Sequence, residues 1–372
     1  MEANQHLTLR TKTMKLHRFI FLLLASTATA NAQEICGVQG VGYNSLFKNG
    51  FEALLSAAAA TTETPKNITQ PSKVLSVISL GSPVGFAPVA NGGTPTILIT
   101  SPSANGSIVG RTLQIRGTLT GPINTGVSVN GVPAYVQRNQ FVTSLITLPA
   151  TGQTTLTATA TTLDGAIATD AITVSPGPGN GVIFTSAKRA EYTNRAVNFA
   201  FSLDPTITVQ SITVDFNGDG TPEFTGSNPS LVPTAYTYTQ SGVFTAEARV
   251  TTVGPNSQVL VSKTIIGAID IVDHRTRVCS VYGALRARLT ANDVPGAIKV
   301  FPQESRATYE ALFNALGTNR PVFATRMGTI ATGLLTLIDA SMTIVTTNQA
   351  QTRAYRVRFA QGADGVWRIE EM

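Results

Sequence analysis

The densest run of oxygen-bearing side chains is Asp215-Phe216-Asn217-Gly218-Asp219-Gly220-Thr221-Pro222-Glu223. Asp215, Asn217 and Asp219 offer side-chain oxygens at alternate positions, and Gly220 supplies the turn. Thr221 would add a backbone carbonyl and Glu223 a direct or water-mediated contact. That donor set suits a hard cation such as calcium. The twelfth position is Gly226 rather than Glu, and a strand pattern leads in rather than a helix, so a bidentate carboxylate is missing. The same residue types are what a polar β-turn uses. A calcium loop and a plain turn both stand as readings.

The rest of the chemistry-bearing set is sparse. Cys36 and Cys279 are the two cysteines. In an oxidising compartment they can pair, which would tie the leader to the first helix of the C-terminal region. The alternative is that Cys279, beside Val278, is a small buried apolar residue. Past residue 32 the single histidine is His274, in Asp273-His274-Arg275. One histidine is too few for a zinc site, and no Gly-x-Ser-x-Gly elbow is present. Asp339, Glu370 and Glu371 have no visible partner beyond charge pairing, so no catalytic residue is assigned. Arg356, Arg358 and Arg368 fall on one face of two predicted strands. That face would bind an anionic group or a partner strand, or it is a solvated face neutralised by Glu370.

The elements that position these groups follow from periodicity. Val278, Val281, Tyr282, Leu285 and Leu289 make one helical stripe, with Arg286 and Arg288 turned away from it. Asn292-Asp293 caps a second helix with Pro295 in its first turn. Tyr309, Leu312, Phe313 and Leu316 mark a third, closed by Gly317. A fourth, shorter helix is expected near residues 321–330. After Gly333 the period becomes alternating: Tyr355, Val357 and Phe359 share one strand face, and Trp367 and Ile369 share another. Helices followed by an antiparallel sheet imply an α+β layer packing.

That region resembles the cystatin-like or nuclear-transport-factor-like cone fold of secreted bacterial proteins. The likeness rests on Leu289-Thr290-Ala291-Asn292-Asp293-Val294-Pro295-Gly296-Ala297, on Tyr309-x-x-Leu312-Phe313-x-x-Leu316-Gly317, and on Asp364-Gly365-Val366-Trp367-Arg368-Ile369. It covers about a quarter of the chain and implies a fold rather than an activity. Upstream, residues 96–175 carry short strands punctuated by Gly121-Pro122, Asn130-Gly131, Gly152 and Asp164-Gly165, the rhythm of a β-sandwich. Val127-Ser128-Val129-Asn130-Gly131-Val132, Phe141 and Thr155-Leu156-Thr157-Ala158-Thr159-Ala160 resemble bacterial immunoglobulin-like domains. Residues 181–267 resemble the polycystic-kidney-disease-type (PKD-like) sandwich, through Ile212-Thr213-Val214-Asp215-Phe216 and Ala235-Tyr236-Thr237-Tyr238-x-x-Ser241-Gly242-Val243-Phe244-Thr245-Ala246. The expected fold class is therefore two all-β immunoglobulin-like sandwiches followed by an α+β cone-shaped (cystatin-like) domain over residues 270–372. Residues 175–181, Ser-Pro-Gly-Pro-Gly-Asn-Gly, read as the hinge of a stalk presenting that last domain.

Before them, residues 1–32 read as a secretory signal. Met14-Lys15-Leu16-His17-Arg18 is the basic start, and 19–25 is an apolar run too short to span a bilayer. Ala30-Asn31-Ala32 is the cleavage site before Gln33, with translation starting at Met14. Residues 33–95 form a leader and a flexible linker rich in Ala, Thr, Ser, Pro and Gly. The formal charge of +6 falls to +3 once the four Lys/Arg and one Glu of residues 1–32 are removed (23 minus 20). With no basic run, nucleic acid is not an expected partner. The chain is expected to be a periplasmic or secreted binding protein without a membrane span, engaging a partner protein or a surface glycan. The alternatives are a small hydrolase or isomerase in the terminal domain, or a structural cell-surface component.

Overall fold

The computed structural model describes residues 93–348 and 351–372. The expected signal, the leader to residue 92 and Cys36 lie outside the described residues. Buried apolar side chains gather into three large clusters, one for each of three consecutive units.

The first unit holds β1 (Thr96–Ser101), β2 (Gly106–Ile108), β3 (Thr112–Leu113), β4 (Arg116–Thr120), β5 (Gly126–Val129), β6 (Val132–Gln137), β7 (Gln140–Thr143), β8 (Ile146–Thr147), β9 (Thr154–Thr161) and β10 (Ile167–Pro176). Eight of them pair in the order β1-β4-β7-β6-β5-β9-β10-β2, and β3 pairs with β8. Alternation explains the inward face: Leu156, Ala158 and Ala160 of β9 are buried with Val127, Val129 and Phe141, while Thr155 is exposed and Thr157 and Thr159 are only partly covered. Asn130 and Gly131, at φ of 48° and 80°, make the tight connection between β5 and β6.

The second unit holds β11 (Val182–Ser186), β12 (Ala190–Tyr192), β13 (Ala196–Leu203), β14 (Val209–Asp215), β15 (Phe224–Gly226), β16 (Ala235–Thr237), β17 (Gly242–Thr252) and β18 (Val259–Ile269). A three-stranded sheet, β11-β13-β16, and a five-stranded sheet, β12-β18-β17-β14-β15, share one core. Phe184, Phe199 and Phe216 interlock there with ring centroids 5.0 to 5.8 Å apart.

The third unit opens with α1 (Ile271–Thr290), followed by α2 (Val294–Ala297), α3 (Arg306–Leu316) and α4 (Arg320–Arg326), then β19 (Thr329–Leu335), β20 (Asp339–Asn348), β21 (Gln351–Gln361) and β22 (Trp367–Glu371) in that sheet order. α1 begins before its apolar stripe because Asp270 caps it, accepting from the N–H groups of Val272 and Asp273. Asp293 caps α2, and Gly317 follows α3 at φ 54°. Val278, Leu285, Phe301, Phe313, Val357, Phe359, Trp367 and Ile369 fill the space between helices and sheet.

Two expectations are corrected. Residues 175–181 are not a free hinge: β10 pairs with β2 through Pro176, Gly177 N–H donates to Gly110 O, and Gly110 N–H donates to Pro178 O. Asn180 Nδ2 then donates to Val261 O at 2.8 Å. Backbone pairing overrides the flexibility that Pro and Gly confer on an isolated segment. Nor is Arg288 turned to solvent. It is buried, donating to Gly296 O at 2.8 Å and to Asp164 Oδ1 of the first unit at 2.6 Å. The side of α1 away from its own core faces another unit, so the three units form a docked body rather than a stalk.

Primary amides of the first unit make much of that docking. Gln114 Oε1 accepts from Ile265 N–H at 2.8 Å while its Nε2 donates to Ile265 O at 2.6 Å. Asn124 does the same to Trp367, at 3.1 and 2.9 Å. An amide side chain carries a donor and an acceptor in peptide-like geometry, so each stands in for one residue of a neighbouring strand. Gln137 accepts from Asp270 N–H and donates to Asp273, and Gln140 accepts from Val243 N–H. Among the described residues, no helix is long and apolar enough to cross a membrane.

Candidate functional site

The outer face of the β19–β22 sheet brings together the three arginines picked from sequence. Arg356 and Arg358 stand two residues apart on β21, and Arg368 lies opposite Ala360 on β22. Thr332, Ser341 and Thr343 complete this face, because β21 pairs Thr343 with Arg356 and Ser341 with Arg358. The inward face of the same strands takes Val357, Phe359 and Ile369.

The three guanidiniums differ in how far they are neutralised. Arg368 forks onto Asp364, Nη1 to Oδ1 at 2.8 Å and Nη2 to Oδ2 at 2.6 Å. Burial works to raise the Asp364 pKa, but the Arg368 fork and the Val366 N–H outweigh it and hold the carboxyl below its usual range. Arg358 has a looser pair with Glu370 at 3.4 Å, both side chains exposed. Arg356 donates Nε–H to Ser341 Oγ at 2.7 Å, and among the described residues it has no carboxylate partner. It is therefore the cation on this face best placed to meet an outside anion.

His274 lies elsewhere, where the units meet. Its Nδ1 is 3.2 Å from the Tyr192 hydroxyl of the second unit, and its ring packs edge-on against Trp367 at 5.1 Å. Burial, assisted by the nearby Arg277, pushes the imidazole pKa down to about 3. The imidazole is therefore covered and neutral at pH 7. Arg277 is itself buried, lowered to about 10 by desolvation against the opposing pull of Asp273, and it donates to Thr125 O at 3.0 Å. Asp339, Glu370 and Glu371 are exposed and face solvent.

The 215–223 loop is closed by its own hydrogen bonds. Asp215 Oδ1 accepts from Asn217 and Gly218 N–H, and its Oδ2 from Gly220 N–H. Asp219 Oδ1 accepts from Thr221 N–H, and Glu223 Oε2 from Phe216 N–H. The Asn217 amide donates to both Asp219 Oδ2 and Glu223 Oε1, at 3.0 and 2.8 Å, and so bridges the two carboxylates. Its own Oδ1 is fixed by Asp219 N–H. The Asp219 carboxyl is lowered by the Thr221 N–H and then by Asn217. Tyr238 hydroxyl donates to Phe216 O at 2.8 Å and ties the loop to the core. Among the described residues, no group of three or more His, Cys, Asp or Glu is set to hold a metal. In this arrangement the oxygens named from sequence close the loop on itself as a polar turn.

Cys279 is buried in the third core and is disulfide-bonded; Cys36 lies outside the described residues. Sequence reasoning missed Gln114, Asn124 and Asp164. Their only local signal was a polar residue at a turn or strand end, which does not say which distant backbone it meets.

No family model matches the chain, and no curated protein matches it. Among solved structures, it is similar to the fibronectin(III)-like modules of Clostridium thermocellum CbhA, at 16% identity over 47% of this chain and 94% of that one, with a TM-score of 0.19. It is similar to the N-terminal Ig1-2 module of the Drosophila receptor protein tyrosine phosphatase DLAR, at 11% identity over 47% and 99%, TM-score 0.21. A third is Bacteroides ovatus SGBP-B, solved in complex with a mixed-linkage heptasaccharide, at 14% identity over 47% and 48%, TM-score 0.17, so the chain spans about half of that protein. Similarity at such scores leaves function to the residues themselves.

Proposed function

We propose that this chain is an exported binding protein. In this reading, immunoglobulin-like and PKD-like β modules hold a cystatin-like α+β unit whose outer sheet face meets an anionic surface glycan or an acidic protein segment. The observation that carries the reading is Arg356, a solvent-facing guanidinium with a neutral hydroxyl as its partner, between Thr/Ser positions and two further arginines. The docked arrangement makes the three units a rigid support, which lowers the ordering cost of binding.

Titration calorimetry with an oligogalacturonate and with poly-glutamate, against a neutral glucan, tests this. Binding of one anionic ligand at low salt that falls about tenfold in Arg356→Ala, and fades with added salt, is expected. Equal binding by wild type and variant would remove the arginine face from the proposal.

The 215–223 loop acts in this reading as a rigid turn. Addition of millimolar calcium is expected to leave the melting temperature unchanged to within about 1 °C. A rise of several degrees would restore the calcium reading, since a cation bound only by the folded state stabilises it by mass action.

A further inference from the structure

Arg356 and Arg358 are both exposed and stand two residues apart on β21. Side chains at that spacing on one strand face lie about 6.7 Å apart. An extended polypeptide laid along β21 repeats its own side chains at the same interval. Carboxylates at its alternate residues would therefore meet both guanidiniums in step. The neighbouring strand is neutral beside them, with Thr343 opposite Arg356 and Ser341 opposite Arg358.

The two cations are not equally available. Arg356 gives its Nε–H to Ser341, and among the described residues its Nη groups have no carboxylate. Arg358 already has Glu370, at 3.4 Å. That pair sits at a bulge in β22. Phe359 pairs with Ile369 but Arg358 pairs with Glu371, so Glu370 is the extra residue and reaches Arg358 from outside the ladder. The next pair is tighter, since Arg368 holds Asp364 by a fork at 2.8 and 2.6 Å. The Arg358 and Glu370 side chains are 46% and 41% exposed, and a single exposed contact of that kind contributes little. A better-placed carboxylate can take the place of Glu370, whereas Asp364 stays.

We propose that Arg356 and Arg358 form a two-point site for an extended acidic protein segment with carboxylates at alternate residues, the second of which displaces Glu370 from Arg358. This rests on the arginine face being the binding surface, and it narrows the partner to an extended polypeptide. Glu370 then acts as a built-in competitor. A single anion engages Arg356 alone, and only a ligand with a second carboxylate in step gains Arg358.

Titration calorimetry on the full chain at low salt tests this with two capped octapeptides of equal charge, one alternating Glu-Thr and one repeating Glu-Glu-Thr-Thr, and with an oligogalacturonate of the same charge. The alternating peptide is expected to bind at least about fivefold tighter than either of the others. Glu370→Gln is expected to tighten it about threefold further, and to change nothing in an Arg358→Ala background. Glu371→Gln, one residue on and without an ion pair among the described residues, should leave binding as it is. Equal affinity for the two peptides would overturn the proposal. So would tighter binding of the oligogalacturonate, which would make a glycan the partner, or a Glu370→Gln gain that persists without Arg358, which would make it a general effect of charge. Binding that falls in Arg356→Ala with no preference between the peptides would sink this inference and leave the arginine face standing. No binding of any of the three ligands would remove both.

Discussion

The two edges of the C-terminal sheet are built on opposite principles. At β22 the seal is made by distant residues. Asn124 satisfies Trp367, Gln361 Nε2 reaches Ala134 O at 3.0 Å, and the backbone of β5 lies against the turn before β22. Gly126 and Gly365 permit that approach. A Cβ on Gly126 would fall inside van der Waals contact with the Gly365 and Val366 backbone, and one on Gly365 would reach Val127 N at 2.5 Å. At β19 no such arrangement exists among the described residues. The contrast shows that a strand's outward N–H and C=O, here those of Trp367, can be met without a neighbouring strand by a side chain of peptide-like geometry.

The largest way to break this contrast is to wedge the sealed edge open. Gly126→Val sets side-chain carbons against backbone that has no rotamer to yield, and a loss of about 3 kcal/mol in urea unfolding is expected. Retained stability would mean that the units are less tightly apposed than the glycines indicate.

Acid probes the same edge through His274, which packs on Trp367. Its folded pKa of about 3 lies below the unfolded value of 6.5. Its contribution is therefore complete above pH 6.5 and is lost as pH falls toward 3. By pH 4 the loss reaches up to ~3 kcal/mol, read as a falling urea midpoint. His274→Gln, uncharged at every pH, should flatten that slope. A slope unchanged in the variant would assign acid sensitivity to other groups.

Asn124→Ala removes only the strand mimic. It leaves Trp367 N–H and C=O without partners, at a cost of about 1 to 2 kcal/mol, and exchange at the Trp367 amide should rise accordingly. A cost near zero would show that water replaces the amide, making the two edges more alike than the geometry indicates.

Much of the fold was legible because it is local. Leu156, Ala158 and Ala160 alternate as a strand must, Asp293 and Gly317 bracket helices as caps do, and the turn glycines sit at positive φ. The arginine face was legible for the same reason, since Arg356 and Arg358 share a side by strand period alone. The docking was not. Arg288 looked solvent-facing because periodicity reports the side opposite its own core and cannot say that Asp164 occupies it. Residues 175–181 looked loose because Pro and Gly describe an unpaired chain, whereas β2 supplies the pairing. The 215–223 loop showed its oxygens in the sequence, but not that the Asn217 amide bridges Asp219 and Glu223, because that depends on how the loop turns back on itself.

Asn124 has one more implication, for how the molecule ages. Slow hydrolysis of that amide would exchange its NH2 for a second carboxylate oxygen, turned toward the carbonyl of Trp367. Two acceptors would then confront each other across the seam, with a negative charge added. That change, once made, would loosen the seam between the first and third units.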